Sequence, residues 1–132
     1  MVAARCSADA VTATIDKLGV QAKASVASVN GPKSVVVAGA QAEVDAVLAE
    51  LGQEGKRLNV SHAFHSPLMV PMAEEYRAVV ESFSESGALS GAPLQVPLVS
   101  TVTGGAASAK ELVDPEHWVR QVWCPVLFSG AL

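Results

Sequence analysis

Two of the three histidines in the chain, His62 and His65, lie three residues apart. Ser66 and Pro67 follow directly, and the residue before a proline is rarely helical, so the two histidines belong to a loop that leads into a helix. Loops often carry catalytic groups, because the elements on either side fix their ends. An imidazole exchanges protons near neutral pH, which makes either histidine a candidate general base.

The residues alone leave three interpretations of this pair open. The first is a metal site, which needs a third ligand such as His117 or Cys124, although no ligand spacing points to one. The second is an ordinary loop in which both side chains make only structural hydrogen bonds. The third is a general base that activates a nucleophile located elsewhere in the fold.

The elements that must position this loop begin with residues 1–60. Their apolar spacing predicts the order β-α-β-β-α-β. Strands are expected near 2–7, 23–29, 34–38 and 56–60, and helices near 8–18 and 41–51. This order is typical of the split βαβ, ferredoxin-like arrangement, in which two helices cover one face of a sheet. We therefore expect residues 1–60 to form a ferredoxin-like small subdomain.

Residues 61–132 predict a different unit. The pattern favours a helix from Pro67 to about Phe83, a buried strand at 95–102 and a short helix from Asp114-Pro115 to about Val122. One strand is too few for a sheet of its own, so we expect a portion of a larger α/β domain. The predicted fold class is α/β, a ferredoxin-like subdomain followed by a partial α/β subdomain.

Charge and hydropathy exclude several classes of partner. Nine Lys and Arg stand against 13 Asp and Glu, which gives a formal charge of −4. The cations never cluster, whereas nucleic-acid binding relies on many cationic phosphate contacts, so we expect none. No apolar run reaches the ~20 residues that span a bilayer, and the N-terminus lacks the apolar core of a signal peptide. We expect a cytoplasmic protein without a membrane partner and without a bound metal.

Three segments of the chain carry a family resemblance. VSHAFHSPLMVPM, at 60–72, resembles the histidine motif of the acyltransferase domains of type I polyketide synthases, close relatives of malonyl-CoA:acyl carrier protein transacylases. SVNGPKSVVVAG, at 28–39, is similar to a hairpin of that family, and HWVRQVWCPVLF, at 117–128, is similar to its tryptophan element. The segments occur in the family's order and spacing. The resemblance implies an α/β-hydrolase-like large lobe, to which residues 61–132 would belong, interrupted by a ferredoxin-like small lobe.

The resemblance also implies a reaction. Family members move a malonyl unit from coenzyme A to the phosphopantetheine thiol of an acyl carrier protein, by way of a serine in a G-x-S-x-G turn. His65, the last residue of the motif, would be the general base. The backbone carbonyl of Gln121 would orient its ring. No permanently bound cofactor is implied, since malonyl-CoA is a substrate and phosphopantetheine belongs to the carrier protein.

Four further residues acquire roles from the resemblance. The positions linked to the choice of extender unit match His62, Ala63 and Phe64. In the family, the motif H-A-F-H is found in domains that use malonyl units. A large Phe64 would crowd the added methyl group of a methylmalonyl unit. Asn30 would line the cleft from the hairpin of the small lobe.

The nucleophile that the resemblance requires is not in the sequence, which contains no G-x-S-x-G. We therefore expect the chain to be inactive alone and to act with the remainder of an acyltransferase domain and neighbouring synthase domains. Two other interpretations stay open. One is a stand-alone ferredoxin-like docking module without catalysis. The other is a transacylase of fatty-acid synthesis, against which the H-A-F-H spelling weighs.

Overall fold

The computed structural model describes residues 1–89 and 91–132. Residues 1–60 contain four strands and two helices: β1 (Val2–Ala4), α1 (Ala8–Leu18), β2 (Ala24–Gly31), β3 (Ser34–Gly39), α2 (Gln41–Glu50) and β4 (Lys56–Arg57). The strands form one sheet in the order β2-β3-β1-β4, and every neighbouring pair is antiparallel. The predicted order of elements is confirmed, although β1 and β4 are shorter than expected.

Local sequence signals set the two ends of α1. Ser7 caps the first turn, because its Oγ accepts a hydrogen bond of 3.2 Å from the backbone N–H of Ala10. Gly19 ends the helix in the left-handed conformation, at a φ of 67°, and its N–H donates to the carbonyl of Asp16 at 3.1 Å. A glycine adopts this conformation at little cost, which explains why the helix ends here.

The core between the helices and the sheet consists mainly of valine. The valines that lose nearly all solvent contact are Val2, Val11, Val35, Val37, Val44 and Val47. On the opposite face of the sheet Ala27, Val36 and Ala38 are also buried, and they pack against Leu58 and Ala63. The segment that leads to the histidines therefore lies against the sheet. β-branched side chains fit such a pleated, covered surface well.

Residues 61–132 contain short elements. They are a 3₁₀ helix (Pro67–Met72), α3 (Ala73–Glu85), β5 (Val99–Ser100), β6 (Gly105–Ala106), α4 (Ala109–Leu112), α5 (Pro115–Trp123) and a second 3₁₀ helix (Phe128–Gly130). The predicted start of α5 is confirmed, with Asp114 Oδ1 accepting a hydrogen bond of 2.9 Å from the N–H of Glu116. The helix α4 was not predicted.

Two predicted elements of this part differ from the structure. The helix expected from Pro67 is a 3₁₀ helix until Met72, because Pro71 has no N–H to donate and its ring obstructs an α-helical turn. The buried strand expected at 95–102 is reduced to β5, which pairs only with β6 among the described residues. Residues 95–99 are exposed, Val96 to 71%, and burial begins only at Ser100.

One backbone bridge joins the two parts of the chain. The N–H of Val126 donates to the carbonyl of Ala27, and the N–H of Val29 donates to the carbonyl of Val126, each at 2.9 Å. Val126 thus lies parallel to the outer strand β2. Next to it, the N–H of Leu127 donates to the carbonyl of Thr101 at 2.7 Å. Within the described residues, no helix has the length and apolarity to cross a membrane.

Candidate functional site

His65 has a strained backbone. Among the described residues it is the one non-glycine residue with a positive φ, at 58°. The left-handed conformation costs an ordinary L-residue about 1–2 kcal/mol, because its Cβ approaches the following carbonyl oxygen. Strain of this kind persists only where the surroundings hold the residue in place, and it concentrates at functional sites.

Two hydrogen bonds hold the backbone of His65 in this conformation. Its N–H donates to the carbonyl of Val122, near the end of α5, at 2.9 Å. Its carbonyl accepts from the hydroxyl of Ser25, in β2, at 3.0 Å. One bond fixes the peptide plane before His65 and the other fixes the plane after it, so together they fix both φ and ψ.

A third hydrogen bond orients the ring of His65. Its Nδ1 lies 3.0 Å from the carbonyl oxygen of Cys124. A carbonyl can only accept, so Nδ1 carries the proton and Nε2 keeps its lone pair in the neutral ring. Nε2 bonds to nothing among the described residues, and solvent reaches it. This is the arrangement that a general base requires.

The carbonyl that orients the ring differs from the one predicted. Gln121 was expected to provide it, whereas the structure assigns it to Cys124. Gln121 lies inside α5, where carbonyl groups point along the helix axis. Cys124 follows the helix with extended backbone, at a φ of −73° and a ψ of 155°, and this turns its carbonyl toward His65. The last carbonyls of a helix lack intrahelical donors and are free to accept other bonds.

His65 and Gln121 nevertheless share one pocket. It has a volume of about 240 Å³ and is lined by His65, Thr101, Val102, Gln121, Cys124, Pro125 and Val126. The side chain of Gln121 is exposed, while that of His65 is half-buried. The imidazole is thus neither sealed in the core nor free on the surface, which leaves room for a reacting group to approach it.

The residues linked to extender-unit choice are divided between two environments. The rings of His62 and Phe64 meet edge to face, with their centroids 6.0 Å apart. Both are exposed, and neither lines the pocket of His65. The Nδ1 of His62 contacts Ser61 Oγ at 2.9 Å. Ala63, between the two rings, is half-buried and packs on the sheet.

Asn30 lies apart from the pocket of His65. It is exposed at the end of β2, where its Oδ1 accepts a hydrogen bond of 2.6 Å from Ser28 Oγ. The hydroxyl of Ser28 also lies 3.4 Å from the carbonyl of Val126. Asn30 therefore makes a contact within its own strand, and Ser28 links it to the segment that follows Cys124.

Contacts along α5 fix the helix whose end holds His65. The indole Nε1 of Trp118 donates to the carbonyl of Leu112 at 2.8 Å. Arg77, in α3, pairs with Glu116 at 2.6 Å, and this hydrogen bond raises the pKa of the Arg77 guanidinium. His117 is buried, with its Nδ1 3.1 Å from Glu111 Oε1. The position of the carbonyls near His65 thus depends on three neighbours of α5.

Three residues of the site were missed by the sequence reasoning: Ser25, Ser66 and Cys124. Ser66 is fully buried, and its hydroxyl donates to the carbonyl of Ala63 at 2.5 Å, which closes the turn that contains His65. A serine directly before Pro67 is a recognisable turn signal. Ser25 and Cys124 act through the tertiary fold and have no such local signal.

Replacing Ser66 with alanine should lower the free energy of unfolding by about 1–3 kcal/mol, because Ser66 is fully buried and the carbonyl of the half-buried Ala63 loses its hydrogen-bond partner. Urea denaturation measures this change. Ser82→Ala is the matched control, because the hydroxyl of Ser82 makes a similar bond, to the carbonyl of Val79, in an exposed position. Equal losses of stability in the two variants would contradict the role assigned to Ser66.

Comparison with known proteins assigns the chain to a family. The family model described as the acyl transferase domain matches residues 3–132. Polyketide synthase GfsA of Streptomyces halstedii is 42% identical over 135 aligned residues, which cover 100% of this chain and 2% of that protein. The spectinabilin polyketide synthase system protein NorB of Streptomyces orinoci is 45% identical over 111 residues, 82% of this chain and 5% of that protein.

A solved structure agrees with these relatives. The acyltransferase domain from the second module of the salinomycin polyketide synthase aligns with a TM-score of 0.82 at 38% identity. The alignment covers 98% of this chain and 29% of that one, so the chain spans under a third of the structure it matches. The α/β fold described above is therefore similar to that of acyltransferase domains. The chain belongs to the acyl transferase domain family, and its relatives include polyketide synthases.

Proposed function

We propose that this chain is part of an acyltransferase that moves a malonyl unit from coenzyme A to the phosphopantetheine thiol of an acyl carrier protein in polyketide biosynthesis. The observation that carries the proposal is the geometry of His65, a strained residue whose Nδ1 is held by a carbonyl and whose Nε2 is left open. Strain of this kind concentrates at sites that perform chemistry, which favours an enzyme over a docking module without catalysis. Family membership supplies the reaction type.

The proposed mechanism assigns the proton transfers to His65. Nε2 takes the proton of a serine hydroxyl, provided by another part of the domain, while the serine oxygen attacks the thioester of malonyl-CoA. The imidazolium then protonates the coenzyme A thiolate as the carbon–sulfur bond breaks. In the second half, Nε2 takes the proton of the carrier protein's thiol, and the sulfur attacks the acyl-serine. The imidazolium returns that proton to the serine oxygen as the ester carbon–oxygen bond breaks. The carbonyl of Cys124 stabilises the imidazolium that forms in both halves.

The proposal also covers the architecture and the partners. Residues 1–60 would be the ferredoxin-like small subdomain, which the strand order β2-β3-β1-β4 and the two helices support. Residues 61–132 would belong to the large subdomain. The exposed ring pair of His62 and Phe64, next to His65, would contact the α-carbon of the malonyl unit and favour malonyl over larger units. The partners would be an acyl carrier protein and the rest of the synthase.

Intact-protein mass spectrometry after incubation with malonyl-CoA tests the proposal. A full acyltransferase domain that contains this chain should gain the mass of one malonyl group. The 132-residue chain should gain none, because the proposed serine nucleophile is not among its residues. Covalent acylation of the 132-residue chain would contradict the mechanism, and so would a full domain that stays unmodified at saturating malonyl-CoA.

A further inference from the structure

We propose that Ser25 is a positioning residue for acyl transfer: its hydroxyl, on the outer strand β2, holds the carbonyl of His65 and thereby keeps the imidazole in its reactive conformation. The inference rests on the proposed function, in which His65 is the general base. It assigns a part in the reaction to a residue 40 positions before His65, in the other part of the chain.

The bond from Ser25 has a special place among the three that hold His65. The partners at the N–H and at Nδ1 are backbone carbonyls, of Val122 and Cys124, and both belong to the end of α5. Ser25 Oγ is the one side-chain partner described for His65. It is also the one that acts on the peptide plane after His65, which determines ψ. A substitution of Ser25 therefore removes this bond directly and changes no atom that takes part in the other two.

The strained backbone of His65 makes its conformation depend on the hydrogen bond from Ser25. A residue with a φ of 58° tends to relax toward the ordinary regions of backbone conformation, and the peptide plane after it must rotate for this to happen. Donation by Ser25 at 3.0 Å opposes this rotation. Without the hydroxyl, the carbonyl of His65 is released while the strain remains, and the ring spends more time away from the direction in which Nε2 can reach a reacting group.

The strand that carries Ser25 is itself fixed to the other side of the site. Two residues further along, Ala27 accepts the N–H of Val126, and Val126 lies two residues after Cys124. β2 therefore sets the position of the carbonyl of His65 through Ser25 and limits the position of the carbonyl of Cys124 through Val126. The half-buried side chain of Ser25 lies where the two parts of the chain meet. Its hydrogen bond to His65 therefore depends on how residues 1–60 and 61–132 are placed relative to each other.

Steady-state kinetics of malonyl transfer in the full domain provide the first test. Ser25→Ala should lower kcat by about three- to tenfold, the effect of one neutral hydrogen bond, and leave KM for malonyl-CoA unchanged. Ser25→Thr, which keeps the hydroxyl and suits a strand, should restore most of the rate. Ser34→Ala is the matched control, because Ser34 is an exposed serine of the neighbouring strand β3 without a bond to His65.

Nitrogen-15 NMR of the imidazole provides a second readout that needs no turnover. In the parent domain and in Ser25→Thr the shifts of His65 should show the proton on Nδ1, and in Ser25→Ala they should move toward a mixture of the two tautomers. Parent-like shifts together with a parent-like kcat in Ser25→Ala would overturn the inference, and so would a Ser25→Thr variant as impaired as Ser25→Ala. Undiminished transfer by His65→Gly would instead overturn the proposed base, while the NMR shifts would still report whether Ser25 positions the ring.

Discussion

Replacing His65 with glycine in a full acyltransferase domain should lower the rate of malonyl loading by about 100-fold or more, the usual contribution of a general base that acts on a nucleophile. The serine would keep its proton, and the leaving thiolate would have no acid. Glycine is preferred to alanine at this position, because it adopts a φ of 58° without strain and so removes the imidazole without disturbing the backbone. Rapid-quench mass spectrometry of the acyl-enzyme measures the rate.

His65→Ala serves as the companion variant. Alanine removes the imidazole in the same way but keeps the strain of the left-handed conformation, so we expect the same loss of loading with a lower stability than His65→Gly. Circular dichroism and urea denaturation would verify that both variants fold. Loading at the parent rate in the folded glycine variant would contradict the assignment of His65 as the base.

A second large effect is expected from His62→Tyr combined with Phe64→Ser. This double variant should raise the preference for methylmalonyl relative to malonyl by about tenfold or more, since steric rejection of one methyl group contributes about 1–3 kcal/mol. Phe64 precedes His65 directly and is 44% exposed, and its ring meets the ring of His62 edge to face. The smaller serine would leave space for the α-methyl group.

Competition between the two coenzyme A esters, read by the mass of the acyl-enzyme, measures that preference. Ala63 stays unchanged in the design, because it packs against the sheet and its substitution would disturb the core. The single variant Phe64→Ser separates the loss of bulk from the change at His62. An unaltered ratio in both the single and the double variant would show that selectivity resides outside this segment.

Much of the fold of residues 1–60 is accessible from the sequence. The β-branched valines favour strands at β2 and β3, and the capping serine and terminal glycine of α1 lie where local chemistry places them. The apolar run at 95–102 was misjudged, because apolarity predicts burial but a strand also needs a partner. Only β6 pairs with it in the described residues, and β5 is two residues long.

The candidate site was predictable to a smaller extent. The motif around His65 was visible in the sequence, whereas its strained φ was not, because that strain is imposed by bonds from β2 and α5. The carbonyl of Cys124, and not that of Gln121, orients the ring, and this too results from the tertiary fold. Pro125 favours extended backbone at Cys124, so the sequence indicates where α5 stops, but only the tertiary fold brings the Cys124 carbonyl to the ring of His65.

The pairing of Val126 with β2 has a consequence beyond catalysis. β2 is the outermost strand of its sheet, and an open strand edge is a template on which other chains can assemble. Val126 occupies part of that edge with two backbone hydrogen bonds. The stretch from Cys124 to Val126, which orients the imidazole of His65, therefore also covers part of an edge that could otherwise pair with another chain, so the solubility of the protein and the geometry of its candidate site depend on the same residues.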